Sequence, residues 1–471
     1  MSQFAVTPLP QRAPSVRRRR SAVSRAIALL ALGTITAGTA HSDSLLELYD
    51  AAKLYDAAYL AARAQAESAY SKADQAKALV RPSLNLQASI SRTDFNSSAT
   101  NSQASLPVGT VNSYDSNTTT KRAGLQARQT IYNADSFARL DQADQSRLVA
   151  DADLQVASQD LAVRVTQAYF DVLGAQDVLT TAQANKAALA EQLAAAKRSF
   201  EVGNSTITDT REAQARHDLA TAQELAAANE LRVKRITLDQ LVGRANVIPN
   251  PLRTPATLDS LAPGEMEDWV NKAQGSPNVL KASAGLEAAR LEIKRARAGH
   301  LPTLDAIASL QRTDIDSTNP LAKTSGGAGT SAAVGLEMNM SLYAGHAVQN
   351  RIAEVLKLQE KAEHDLDNAK RQVTLGTRQA YLGVQSGLAQ VKAYEAAESS
   401  AKLALEATQL GYRVGVRINK DVLDAQTQLA NTQKDLAKSR YDVIVGSVKL
   451  RQASGVLAPD DLNELNKLLA N

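Results

Sequence analysis

The chain has 471 residues, a formal charge of +4 and no cysteine, which excludes disulfides, thiolate metal sites and a lipid carried on an N-terminal Cys. Aromatic residues make up only 4% of it, so thin, Ala-lined helix contacts suit it better than a thick core.

Residues 1–40 read as a signal peptide. Arg12, Arg17, Arg18, Arg19, Arg20 and Arg25 precede an apolar run from Ala26 to Leu32, and Gly38-Thr39-Ala40 forms a small-residue end. A basic nucleic-acid tail is the competing reading, disfavoured because the arginines stand directly before the apolar run. Arg19-Arg20 matches a twin-arginine signal only weakly. Without the six arginines of this leader the charge of +4 becomes about −2, so the basic pI belongs to the leader and nucleic acid is not an expected partner. No later apolar run approaches the roughly 20 residues a membrane helix needs. A mature chain that enters a membrane does so as a barrel.

The rest is written twice. Pro82-Ser83-Leu84 and Ser91-Arg92-Thr93-Asp94 return as Pro302-Thr303-Leu304 and Gln311-Arg312-Thr313-Asp314, and Gln167-Ala168-Tyr169-Phe170 returns as Gln379-Ala380-Tyr381-Leu382. The first repeat, 41–245, opens with a helix over 44–80 and a β-hairpin over 82–132. In the hairpin Leu84, Leu86, Ala88 and Ile90 alternate with Ser83, Asn85, Gln87 and Ser89, and Ala123, Leu125, Ala127 and Ile131 alternate with Arg122, Gln126, Arg128 and Thr130, around a polar loop from Asn96 to Thr119. A long helix over 134–202 and a return helix over 207–243 follow. A Pro-rich connector, 246–266, carries Pro249, Pro251, Pro255 and Pro263.

The second repeat, 267–456, has a helix carrying Trp269 with a break at Gly275-Ser276-Pro277. Its hairpin over 302–343 sets Leu304, Ala306, Ala308 and Leu310 against polar neighbours, with Val334, Leu336, Met338, Met340 and Leu342 on the return strand. A long helix over 345–414 and a return helix over 418–454 complete it, and 457–471 is a C-terminal tail. Strands of about 10 to 13 residues, apolar on one face and polar on the other, suit a water-filled membrane barrel, or a soluble sheet over a core. Each proline-free long helix would extend roughly 100 Å. Both end at Val-Gly, where glycine supplies the positive φ that closes a helix. Four strands cannot close a barrel, so other copies of the chain must complete it.

This order of elements resembles the TolC family of outer-membrane channel-tunnels. The sharpest local match is Gly411-Tyr412-Arg413-Val414-Gly415-Val416-Arg417 leading to Asp421-Val422-Leu423-Asp424-Ala425, and Phe200-Glu201-Val202-Gly203 with Ile207-Thr208-Asp209 is similar to the first-repeat tip. The resemblance implies a mainly α fold with membrane β: a homotrimer whose four strands per chain make a twelve-stranded barrel continuing into an α-helical tunnel across the periplasm. It implies an exit duct for efflux or type I secretion, with a periplasmic adaptor protein and an inner-membrane ABC or proton-driven transporter as partners and no cofactor. By the same likeness Thr208, Asp209, Tyr412 and Arg417 form a periplasmic gate latch, Asp421 and Asp424 line the entrance as acidic rings, and Val202, Gly203, Val414 and Gly415 mark the adaptor-docking tips. Relatives often carry Glu three residues before the latch Tyr; here Gln409 would meet a residue such as Gln192 without a charge. From spacing alone, Asp421 and Asp424 are an acidic face open to solvent, and the tips are plain helical hairpins. Lys186 and Glu398 hold equivalent places in the two rods, pairing across the repeat or facing water.

An enzyme is not expected. His41, His217, His300, His346 and His364 are scattered, and neither a His-Glu-x-x-His run nor a Gly-x-Ser-x-Gly elbow occurs. A soluble periplasmic coiled-coil scaffold or adaptor is the competing reading. It accounts for the rods but not for four alternating strands.

Overall fold

The computed structural model describes residues 44–97, 114–253, 258–317 and 327–470. The leader, the tips of the two strand-joining loops and connector residue Pro255 lie outside them.

Helices α1 (Leu45–Tyr55) and α2 (Ala57–Ala76) replace the single helix expected over 44–80. The chain breaks at Asp56, which is extended at ψ 114° and turns its carboxylate to the amide of Tyr59 at 2.8 Å. Arg164 closes the site with two bonds to the same carboxylate, at 2.8 and 2.9 Å. A periodic run of Ala, Lys and Gln carries no mark of this break, because its cause stands over a hundred residues away. A 3-10 turn, Lys77–Val80, leads to the first strand.

Strands β1 (Ser83–Ser97), β2 (Tyr114–Tyr132), β3 (Thr303–Ser317) and β4 (Gly327–Asn339) form one antiparallel sheet in sequence order. The hairpins of the two repeats join through β2 and β3. The register lines up the apolar positions: Leu84, Ala127, Ala308 and Val334 make one row, and Leu86, Leu125, Leu310 and Ala332 the next. Nothing among the described residues covers that stripe. Leu84, Leu86, Ile90, Val334, Leu336 and Met338 are 69–89% exposed. Three of the strands are longer than 10 to 13 residues, with β2 reaching 19, because Ser- and Thr-rich segments beyond the apolar band still pair, while β4 has 13. One detail departs from simple alternation. A bulge between Thr130 and Tyr132 leaves Ile131 unpaired and sets Tyr132 opposite Leu304, so the stripe continues through Tyr132.

The rods are α3 (Ala134–Glu201, 68 residues) and α7 (Ala347–Arg413, 67 residues), each roughly 100 Å long at 1.5 Å per residue. Their return helices are α4 (Ile207–Val242) and α8 (Asn419–Ala453), and α5 (Met266–Ala273) and α6 (Pro277–Ala298) precede the second hairpin. Helix α3 packs on α4, α8, α6 and α2, whereas α7 packs on α8, α6 and α5. Eighteen residues of α3 are buried against six of α7, which makes α3 an interior element and α7 an edge. Gly387 lets α7 approach α8: a Cβ there would lie 2.7 Å from the Val443 side chain.

The main core sits mid-rod. Leu45, Leu48 and Tyr49 of α1 meet Leu161, Val165, Tyr169 and Phe170 of α3, Leu238 of α4 and Ile444 of α8. The segment 457–471, read from sequence as a tail, contributes to it. Its helix α9 (Pro459–Asn466) buries Leu462 and Leu465, and Leu469 bridges to Leu252 of the connector. Ala470 N–H bonds the Pro251 carbonyl at 2.8 Å and Arg253 N–H the Leu468 carbonyl at 2.9 Å.

The Arg164 hydrogen bonds hold the Asp56 carboxyl below its ordinary range. The contribution is therefore present above the ordinary carboxyl range and lost as pH falls through the lowered value. Asp56→Ala removes a helix cap and one partner of a charge-assisted pair, and is expected to cost about 1–3 kcal/mol at neutral pH, with a smaller difference from wild type in acid. Chemical denaturation at pH 7 and pH 3 measures both.

The candidate functional site at the helical tips

The ends of both rods are built alike. Gly203 and Gly415 each sit at φ +80°, a conformation a side chain rarely adopts. Gly203 N–H reaches the Phe200 carbonyl at 2.9 Å and Asn204 N–H that of Ser199 at 2.8 Å; Gly415 N–H reaches Tyr412 at 3.1 Å and Val416 N–H Gly411 at 2.9 Å. These bonds reverse the chain and leave Val202, Val414 and Val416 exposed beside the glycines.

The helix starts that follow differ. Thr206 caps α4 in a reciprocal box: its Oγ1 accepts from Asp209 N–H at 3.2 Å, and the Asp209 carboxylate accepts from Thr206 N–H at 3.0 Å and from its hydroxyl at 2.8 Å. Thr208 is exposed on the same turn. Helix α8 starts at Ile418, which makes no side-chain cap, and buries the neighbouring Asn419 with its Nδ2 unpartnered. Arg417 lies 3.6 Å from Asp421, and Tyr412 packs against the Leu405, Val422 and Leu429 cluster. Among the described residues no bond within the chain joins Tyr412 or Arg417 to Asp209, whose carboxylate serves its own helix.

Asp421 and Asp424 both find cations. Lys420, four residues before Asp424 on the helix, bonds one of its oxygens at 2.6 Å, and Arg216 of α4 bonds the other at 2.7 Å. Lys420 and then Arg216 hold the Asp424 carboxyl below its ordinary range. Lys420 was legible as an i,i+4 partner. Arg216 was not, standing 208 residues away on the other hairpin. The contact ties α4 to α8, and Gln426 of α8 approaches Asn185 of α3 at 3.5 Å beside it. Higher up, Lys186 bonds Glu224 at 2.8 Å and Gln433 bonds Glu398 at 3.0 Å. Each rod thus clasps its own return helix, and the two equivalent residues do not meet.

The outer membrane efflux protein family model matches residues 48–244 and 270–456, one segment in each repeat. The chain belongs to that outer-membrane family. The outer membrane protein TolC of Vibrio cholerae is 32% identical over 93% of this chain and 96% of its own length. The alkaline protease secretion protein AprF of Pseudomonas aeruginosa is 31% identical over 74% of this chain and 72% of its own. Among solved structures, VceC from Vibrio cholerae shares the fold at a TM-score of 0.70, with 18% identity over 87% of this chain and 96% of that one. As a member of this family the chain is an outer-membrane efflux or secretion duct and not an enzyme, with its helical part in the periplasm. The coiled-coil scaffold reading falls with that assignment.

Because the Asp424 carboxyl is lowered, its bond to Arg216 persists at neutral pH and is lost as pH falls through the lowered value. Arg216→Ala is expected to speed amide hydrogen exchange severalfold in the first turns of α8, a local loss of about 1 kcal/mol. Wild-type protein at low pH should show the same local change, which mass spectrometry resolves by peptide.

Proposed function

We propose that three copies of this chain close a twelve-stranded barrel in the outer membrane and a helical tunnel below it, gated at the tips described above. The observation that carries this reading is the pair of open edges. Among the described residues β1 and β4 each lack an outer neighbour, and an unpaired strand edge in hydrocarbon costs several kcal/mol per backbone group. Pairing β4 of one copy with β1 of the next removes every edge, and three copies give twelve strands. The helical layer repeats the argument. The edge helices carry uncovered apolar residues, Leu225, Val233 and Ile236 on α4 and Leu375, Leu382 and Leu403 on α7, all at least half exposed. Association of the copies brings these rows together.

At the tips the latch forms between hairpins of neighbouring copies, because within one chain no bond among the described residues joins Tyr412 or Arg417 to Asp209. Tyr412 and Arg417 face Thr208 and Asp209, and Arg417 exchanges its long contact with Asp421 for a carboxylate and hydroxyl that its planar fork fits. Asp421 and Asp424 stack as entrance rings, with Asp421 the more available because Lys420 and Arg216 already neutralise Asp424. Such rings admit cations and hinder anions. The exposed valines with their glycines, Val202-Gly203 and Val414-Gly415, are the surface a periplasmic adaptor docks on, and an inner-membrane transporter supplies the cargo. The family's description as outer membrane efflux proteins and the name of one relative, a protease secretion protein, support an efflux and a secretion setting.

Each latch bond is partly wet and contributes about 1 kcal/mol, which docking can overcome. Tyr412→Phe with Arg417→Ser is expected to raise single-channel conductance of the purified protein in planar bilayers severalfold. An unchanged small conductance sinks the latch, and a monomer that needs no detergent sinks the duct.

A further inference from the structure

In the middle of its polar face β2 has no side chain. Gly124 stands between Arg122 and Gln126, with Gln87 of β1 and Gln311 of β3 directly opposite it. The strands need glycine there: a Cβ would sit 3.1 Å from the Leu310 carbonyl oxygen and 3.3 Å from Gln311 Cα. Over it lies a hollow of about 570 Å³ whose polar lining is Gln87, Ser89, Arg122, Gln126, Ser309 and Gln311.

One charge faces that hollow. Arg122 is exposed and, among the described residues, has neither a carboxylate nor a hydrogen-bond partner. Three other cations of the sheet hold carboxylates, Arg128 with Asp305 at 2.6 Å, Arg92 with Asp94 at 3.1 Å and Lys121 with Asp316 at 3.4 Å, and Arg312, exposed in register with Ala123 on the opposite face, does not border the hollow. The rest of the lining is amide and hydroxyl. Gln311 spends one N–H on Thr313 Oγ1 at 3.1 Å, and Gln87 and Gln126 keep their amides for solvent or a guest. A forked guanidinium beside two amide groups and two hydroxyls is a donor set for a carboxylate.

We propose that this hollow is a weak carboxylate-binding site on the wall of the barrel, which an anionic group of the exported cargo occupies on its way out. The inference rests on the duct reading, since that reading makes the polar face the lumen and sets three such sites at one height. A site of this kind lowers the cost for an acidic cargo of leaving the water of the tunnel. Its openness to solvent keeps binding weak enough for release. The carboxylate can belong to a small acid or to an acidic side chain of a polypeptide, and both present the same group to Arg122.

The test is block of ionic current through purified protein in planar bilayers, with citrate in one arm and a glutamate-rich peptide in the other, each added on the barrel side. Half-block by the occupying carboxylate is expected to need on the order of tenfold more blocker in Arg122→Gln, the loss of one charge-assisted contact. Arg122→Lys, which keeps the charge but not the fork, should lie between, and Gln126→Ala should weaken block severalfold. Relief by Arg122→Gln in the citrate arm alone assigns the site to small acids, and relief in the peptide arm alone to polypeptides. Equal half-block in wild type and Arg122→Gln, with normal pores, overturns the site. Wild-type protein that forms no pores overturns the duct reading and the site with it.

Discussion

A strand in hydrocarbon must have a partner on each side, because no water is present to take up a free amide or carbonyl. That constraint organises the chain from its sheet outward. Pairing within each hairpin and of β2 with β3 between the repeats satisfies six of the eight strand edges, and one edge at each side stays open among the described residues. Since α3 follows β2 after a single residue, the helical layer inherits the order of the strands. Asn133 caps α3 at that junction by accepting from Ser136 N–H at 3.2 Å. The second junction uses Gly345 and His346, both at positive φ, to start α7. Strands lie about 4.8 Å apart and helices 8–10 Å apart, so the short turns at these points also absorb the widening from sheet to helix layer.

Periodicity made the large elements legible. Leu84, Leu86 and Ile90 alternate so cleanly that their exposure on one face could be read before any contact was known, and the absence of proline from 134 to 202 set the length of α3. What stayed hidden was set by distant partners. Asp56 breaks a helix-like run because Arg164 reaches it, and α9 forms because Leu462 and Leu465 find the mid-rod core. The bulge at Ile131 is a matter of register with β3, which no single strand encodes.

The tips show the same division. Val-Gly at both rod ends and the spacing of Asp421 and Asp424 were plain in the sequence, and both glycines hold the conformation that explains them. The charge state around these two aspartates was not. Two aspartates three apart suggest bare negative rings, yet Lys420 on the same face and Arg216 from the other hairpin occupy Asp424, while Asp421 keeps only a 3.6 Å contact to Arg417. An i,i+4 pair is local and readable. A contact between hairpins requires the packing of α4 near α8, which follows only once α3 is known to lie between α4 and α8.

The duplication has also diverged in a direction that bears on motion. The first hairpin starts its return helix with a complete Thr206–Asp209 box, and its rod is the interior element of the wall. The second starts at Ile418 without a side-chain cap, leaves the buried Asn419 amide nitrogen unpartnered, and hangs on a rod with a third as many buried residues. A missing cap is about 1 kcal/mol, and an unsatisfied buried donor another 1–3. The free energy needed to displace the tip of α7 and α8 is therefore lower than for α3 and α4, and the clamp through Arg216 restrains the looser hairpin by tying it to the firmer one. On the gating proposed above, that inequality makes the second hairpin the one that moves against a fixed first one.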